Sequence, residues 1–179
     1  FYLDVGAEVT VIEALPRLLP LEDGDLGRGL EKLLAARGAT VLTSARVQPE
    51  ATRVYDSVVE LAVEQDGRQQ TVRAERVLIA TGRGGQTDGM GLENTNVKVE
   101  KDCVQVDRSY RTAEPNIFAV GDVIGGLQLA HVAAAEGYLA AQAIAGKDVE
   151  PLDYDRVPRV TYTRPHVAAV GLTEEQARE

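Results

Sequence analysis

Cysteine is nearly absent from this chain of 179 residues: Cys103 stands alone. An intramolecular disulfide is therefore excluded, and with it the small secreted scaffolds that disulfides staple together. A reducing cytoplasm is the expected location. One thiol also rules out a paired-cysteine redox centre, or a thiolate metal site, built from this chain alone. Histidine is almost as scarce, at His131 and His166 only. Two such distant histidines supply no metal-ligand spacing and no nucleophile–base arrangement, so no metal site is expected. No apolar run approaches the ~20 residues that span a bilayer. Basic residues are outnumbered, with 19 Lys and Arg against 28 Asp and Glu and a net charge of −9. Nucleic acid and membrane surfaces need clustered positive charge, so neither is an expected partner. The opening Phe1-Tyr2-Leu3-Asp4-Val5-Gly6 has no Met, no basic stretch and no cleavage pattern. It reads as the end of a helix, and Thr173–Glu179 reads as the beginning of one, so both ends look cut.

What is present is ordinary for a globular chain: 44% hydrophobic and 26% charged residues, enough for one domain or two small ones with a core. Phe1–Val5 finishes a helix at Gly6. The β-branched run Glu8–Glu13 predicts a strand. Leu26, Leu30, Leu33 and Leu34 at helical spacing predict a helix over 25–37, closed by Gly38, and Thr40–Thr43 predicts the next strand. Helix, strand, helix, strand implies a parallel sheet with helical crossovers. The pattern then changes. Val47–Glu64 and Gln70–Ala74 read as antiparallel strands, with Asp66-Gly67 as a hairpin turn. Arg76–Thr81 is nearly all apolar, as a strand buried on both faces would be. Residues 83–96 read as a linker, Val97–Val99 and Val104–Val106 as short strands, and Asn116–Val120 as another buried strand. Ala130–Ala145 reads as a helix stopped by Gly146. Residues 151–158 read as a second linker, leading into strands at 160–163 and 167–171.

Chemistry could sit where these strands end. Glu13 closes a strand; in a dinucleotide fold, an acid there accepts hydrogen bonds from the adenosine ribose and repels a 2′-phosphate. A solvated Glu at a strand end is the plain alternative. Gly82 follows the Arg76–Thr81 run, where a missing Cβ allows a ligand to approach the backbone or simply permits a tight turn. Asp122 follows Gly121; its carboxylate can accept from a sugar-chain hydroxyl or cap a helix. Gly125-Gly126 and then Gln128-Leu129-Ala130-His131 lead into a helix. Its free N–H groups and positive dipole end suit an electron-rich acceptor. Glu22, Asp23 and Asp25 complement a helix start, and Cys103 reads as a half-buried side chain.

Together, these segments resemble the pyridine nucleotide–disulfide oxidoreductases. The resemblance rests on Val9–Glu13, Val77–Arg83, Arg111-Thr112 with Asn116–Asp122, and Leu129–Ala133 with Glu136-Gly137. It covers nearly the whole chain, and the order and separation of the blocks make it specific. Val160–Pro165 and Val170–Thr173 resemble the opening of the family's dimerisation domain. Glu13, Pro16–Pro20 and Gly91-Leu92-Glu93 look most like the dihydrolipoamide dehydrogenase branch. The sequence departs from the family after Arg83, where Gly84-Gly85-Gln86-Thr87 replaces the usual Arg-Pro-Asn-Thr. It also departs at Cys103 and at His166.

The resemblance implies an α/β architecture in three parts. Residues 1–83 would form the C-terminal part of a Rossmann-like NAD-binding domain carrying an antiparallel meander. Residues 84–150 would form the C-terminal part of a central, FAD-binding domain. Residues 151–179 would start an α+β dimerisation domain. It implies that Glu13 binds the NAD ribose, Val47 lines the adenine side and Gly82 contacts NAD through its backbone. Asp122 would bind the flavin's sugar chain, with Gln128, Leu129, Ala130 and His131 beneath the flavin ring. FAD and NAD are the implied cofactors. A homodimer, served by the lipoyl domain of a 2-oxoacid dehydrogenase complex or of the glycine cleavage system, is the implied assembly. None of these positions is catalytic: the redox cysteines and the catalytic His–Glu pair belong outside this segment, and the isolated chain is expected to be inactive. The alternatives are another flavoprotein disulfide reductase, of the mercuric reductase or soluble transhydrogenase type, or a non-catalytic nucleotide-binding module.

Overall fold

The computed structural model describes residues 1–179, which divide into two compact units: 1–80 with 160–179, and 81–159. No helix is long and apolar enough to cross a membrane.

The first unit opens on a 3-10 turn at Tyr2–Val5, ended by Gly6 at φ 88°. Strand β1 (Thr10–Ile12) leads to helix α1 (Gly24–Ala36) and strand β2 (Thr40–Leu42). β1 and β2 pair in parallel, Val11 opposite Val41, as the alternation of helix and strand requires. Asp23 is the N-cap residue of α1, yet its carboxylate caps nothing there and instead accepts from the Glu174 N–H at 2.8 Å. The meander follows as β3 (Ala45–Val47), β4 (Arg53–Val54), β5 (Val59–Gln65) and β6 (Arg68–Ala74). β3 and β4 share one edge of β5, and β6 takes the other. Gln65 pairs with Arg68 across Asp66 and Gly67, at φ 52° and 73°. Two left-handed residues match the twist of a two-residue hairpin, so the Asp-Gly signal sets the register. Val63, Ala45 and Leu30 form the buried centre. The last part of the unit is a two-stranded sheet, β9 (Arg159–Thr161) with β10 (Val167–Ala169), and a short helix α3 (Glu174–Arg178) with a Thr173/Gln176 capping box.

The second unit holds the hairpin β7 (Val99–Glu100) and β8 (Cys103–Val104), a 3-10 turn at Gly121–Ile124, helix α2 (Ala130–Ile144) and a 3-10 turn at Tyr154–Arg156. Val104, Tyr110, Val132, Ala140 and Val157 form its core.

Two sequence expectations fail here, and a third is met with shifted bounds. Arg76–Thr81 forms no strand, and Leu78 and Ile79 are 73% and 79% exposed. An apolar run becomes a strand only when neighbours satisfy its backbone, and no strand of this chain pairs with it. Asn116–Val120 forms only an isolated bridge, Arg111 to Phe118, and lacks flanking strands for the same reason. The short strands expected at 97–99 and 104–106 instead meet across Lys101-Asp102, both left-handed, which shifts each toward the turn.

Candidate cofactor-binding site

The candidate residues fall in both units. Glu13 and Val47 lie in the first. Glu13 continues β1: its N–H donates to Leu42 O at 2.8 Å and its C=O accepts from Ala45 N–H at 3.0 Å. The chain turns back at once, with Leu15 N–H donating to Glu13 Oε1 at 2.8 Å. That bond fixes a half-buried carboxylate and leaves Oε2 to accept from a ligand hydroxyl. Val47 ends β3 opposite the fully buried Val63, with its own side chain 38% exposed.

Gly82 lies in the second unit, exposed and at φ 125°, where only glycine is unstrained. It follows no strand. Asp122 sits in the Gly121–Ile124 turn. The structure removes its reading as a cap of α2, because Leu129 occupies that position. Gly121, at φ 76°, stands so close to α2 that an added Cβ would lie 3.2 Å from the Ala133 methyl. The turn therefore packs directly on the helix.

The Asp122 carboxylate is not alone. Arg83 Nη1 pairs with its Oδ2 at 3.1 Å, and Arg83 Nη2 donates to Gln128 O at 2.9 Å. Gln128 Nε2 donates to Asp122 O at 3.4 Å. Arg83 is 65% exposed, so this pair stabilises little, roughly 0–1 kcal/mol. Its consequence is geometric: it holds Gln128, at φ 45°, against the turn that bears Asp122.

Leu129 offers no side-chain cap to α2, and no acid stands in the first turn. Ala130 and His131 thus begin a helix of 15 residues whose leading N–H groups lack intrahelical partners. His131 Nε2 lies 3.0 Å from Pro158 O, an interaction that fixes the ring. Gly125 and Gly126, at φ 80° and 71°, bring the chain from Asp122 round to this terminus. A half-exposed carboxylate, two glycines and an uncapped positive helix end suit a cofactor with both sugar hydroxyls and an electron-rich carbonyl.

One residue of this site enters the sequence analysis only as part of a family-like block, with no role given to it. Glu136, in the middle of α2, is 2% exposed. Its Oε2 accepts from Gly121 N–H at 2.6 Å, and its Oε1 accepts from Tyr154 Oη–H at 2.7 Å. Burial, then hydrogen bonds with Tyr110 and Glu136, hold the Tyr154 phenol far above the usual tyrosine range. The signal was available: Val132 and Ala140, one turn to either side, are both buried, so Glu136 occupies the core stripe of its helix.

Residues 1–137 match the pyridine nucleotide-disulphide oxidoreductase family, and the chain belongs to it. The dihydrolipoyl dehydrogenase of Bacillus subtilis is 42% identical over 175 residues, covering 98% of this chain and 37% of the relative. Among solved structures, LpdA of Mycobacterium tuberculosis superimposes with a TM-score of 0.86 at 34% identity, over 97% of this chain and 37% of that one. The HOCl-induced flavoprotein disulfide reductase RclA of Escherichia coli gives 0.84 at 30% identity, over 99% and 40%. The chain thus spans well under half the length of the proteins it matches.

Proposed function

We propose that this chain is the cofactor-positioning part of a dihydrolipoyl dehydrogenase that uses FAD and NAD. The observation that carries the reading is the placement of Asp122, Gly125-Gly126 and the uncapped α2 terminus together. They stand so in a chain that aligns along nearly its whole length with dihydrolipoyl dehydrogenases. In this reading Asp122 accepts from a hydroxyl of the flavin's sugar chain. The terminus at Gln128, Leu129, Ala130 and His131 directs N–H groups and a positive dipole end toward the flavin ring. Glu13 accepts from the NAD ribose through Oε2, Val47 flanks the adenine, and Gly82 offers its backbone to NAD.

When bound, FAD carries electrons between a redox disulfide and NAD, and the protein supplies placement and electrostatics. This chain's share of that task is to orient the two cofactors and, through Glu13, to disfavour a 2′-phosphate. The redox cysteines and the His–Glu pair come from the remainder of a longer protein. The unpaired Arg76–Thr81 run fits that reading, since it is a strand-like segment without neighbours here. Residues 1–83, 84–150 and 151–179 then belong to the NAD-binding, FAD-binding and dimerisation domains of a cytoplasmic homodimer. Its substrate is the lipoyl arm of a 2-oxoacid dehydrogenase complex or of the glycine cleavage system.

The test is steady-state reduction of NAD by dihydrolipoamide with the full-length protein that contains this chain. Turnover with NAD, and far slower turnover with NADP, supports the reading. The resemblance to RclA favours a second one, a flavoprotein disulfide reductase of other substrate. A flavin-containing protein that ignores dihydrolipoamide would establish that alternative.

A further inference from the structure

We infer that Glu136 is a positioning residue for the flavin: its buried carboxylate clamps the Gly121–Asp122 turn to helix α2 and so fixes where Asp122 presents its own carboxylate. The inference rests on the assignment of Asp122 to the flavin. A carboxylate in a core requires compensation, and charged residues are rarely buried without it. Glu136 is compensated by two donors from separate segments. Gly121 N–H, immediately before Asp122, binds one oxygen, and Tyr154, beyond the end of α2, binds the other. Tyr110 stands beside Tyr154 in the same cluster. Its backbone C=O accepts from Ala119 N–H at 3.0 Å, on the approach to Gly121. The turn is thereby held by Glu136 from α2, and the segment leading into it by the bond from Ala119 to Tyr110.

No apolar residue could replace this arrangement. Removing the carboxylate would leave Gly121 N–H without an acceptor beneath the turn and cost the Tyr154 hydroxyl its bond to Glu136, and a buried donor without a partner is costly. The turn would shift to find water, and Asp122 would move with it. Glutamine retains the geometry: its carbonyl accepts from Gly121 N–H, and its NH2 donates to the Tyr154 oxygen. The clamp therefore predicts damage from alanine and rescue by glutamine.

The experiment uses the full-length protein, stripped of flavin and titrated with FAD, with visible circular dichroism of the bound flavin and melting of the apoprotein as parallel readouts. Glu136→Ala should weaken FAD binding about tenfold or more and alter the flavin dichroism. Glu136→Gln should stay within about threefold of wild type because it keeps both bonds, and Tyr154→Phe should lie between because it removes one and leaves Gly121 N–H its acceptor. An apoprotein that melts lower while its FAD affinity and dichroism stay unchanged overturns the inference and leaves a purely structural role. If Glu136→Ala does not yield soluble protein, Tyr154→Phe decides, and unchanged FAD binding in that variant overturns the inference. Asp122→Ala separates the two levels. Should it leave FAD binding intact, the flavin assignment itself fails; should it weaken binding while the Glu136 variants do not, only the clamp fails.

Discussion

Gly27 and Gly29 lie two residues apart in α1, and the structure gives their alanine substitutions opposite signs. Gly27 is buried, and a Cβ there would stand 2.2 Å from Leu18 O. Normal contact requires the helix and the loop at Leu18 to part by about 1 Å, in a close-packed interior that resists it. Overpacking of this kind costs about 1–3 kcal/mol. Alanine regains up to about 1 kcal/mol of helix propensity over glycine, so Gly27→Ala should be net destabilising by up to about 2 kcal/mol. Gly29 has nothing within 4 Å of its Cβ position, so Gly29→Ala keeps only the propensity gain and should stabilise. The assay is thermal melting of the full-length apoprotein and both variants side by side. The strained loop also carries Leu15, whose N–H holds Glu13, so Gly27→Ala should raise the KM for NAD and Gly29→Ala should not. Equal melting temperatures for the two variants would refute the reasoning, because they would show that the loop yields without cost.

Other consequences concern the site more directly. Glu13→Ala should raise the KM for NAD by about tenfold, the loss of one charge-assisted hydrogen bond, and narrow the preference over NADP, as read from initial rates with each nucleotide. Arg83→Ala should change melting little, since its pair with Asp122 is exposed, but it should loosen FAD binding by releasing Gln128, as measured by flavin titration. Tyr154 keeps its proton in the folded protein at pH values where the unfolded chain, near pH 10, releases it. Its contribution is thus complete below pH 10 and declines as pH rises beyond it. Urea unfolding between pH 9 and 11 should therefore show a steeper loss in wild type than in Tyr154→Phe.

Local signals were legible where the partner group lay nearby in sequence. Asp66-Gly67 fixed a hairpin because a two-residue turn contains its own register. The leucines of α1 and the Ala-rich run of α2 declared their helices, and Gly38 and Gly146 adopt the left-handed conformation just beyond them. Val77–Ile79 and Asn116–Val120 misled because burial of a strand depends on neighbouring strands, and composition cannot say whether the same chain supplies them. The helix terminus at Leu129-Ala130 could be read from the residues around it. The bonds that organise the terminus could not, because Arg83 to Gln128 and Glu136 to Tyr154 join positions far apart in sequence. Glu136 was hidden for a further reason: a glutamate in a helix reads as solvated surface unless the buried stripe on which it falls is traced.

The measurement that bears most directly on the account is an anaerobic titration of the full-length protein, followed by visible absorption. The account predicts a bound-flavin spectrum that dihydrolipoamide bleaches and NAD restores, with NADP restoring it poorly. Protein purified without flavin, or flavin that dihydrolipoamide leaves oxidised, would contradict it.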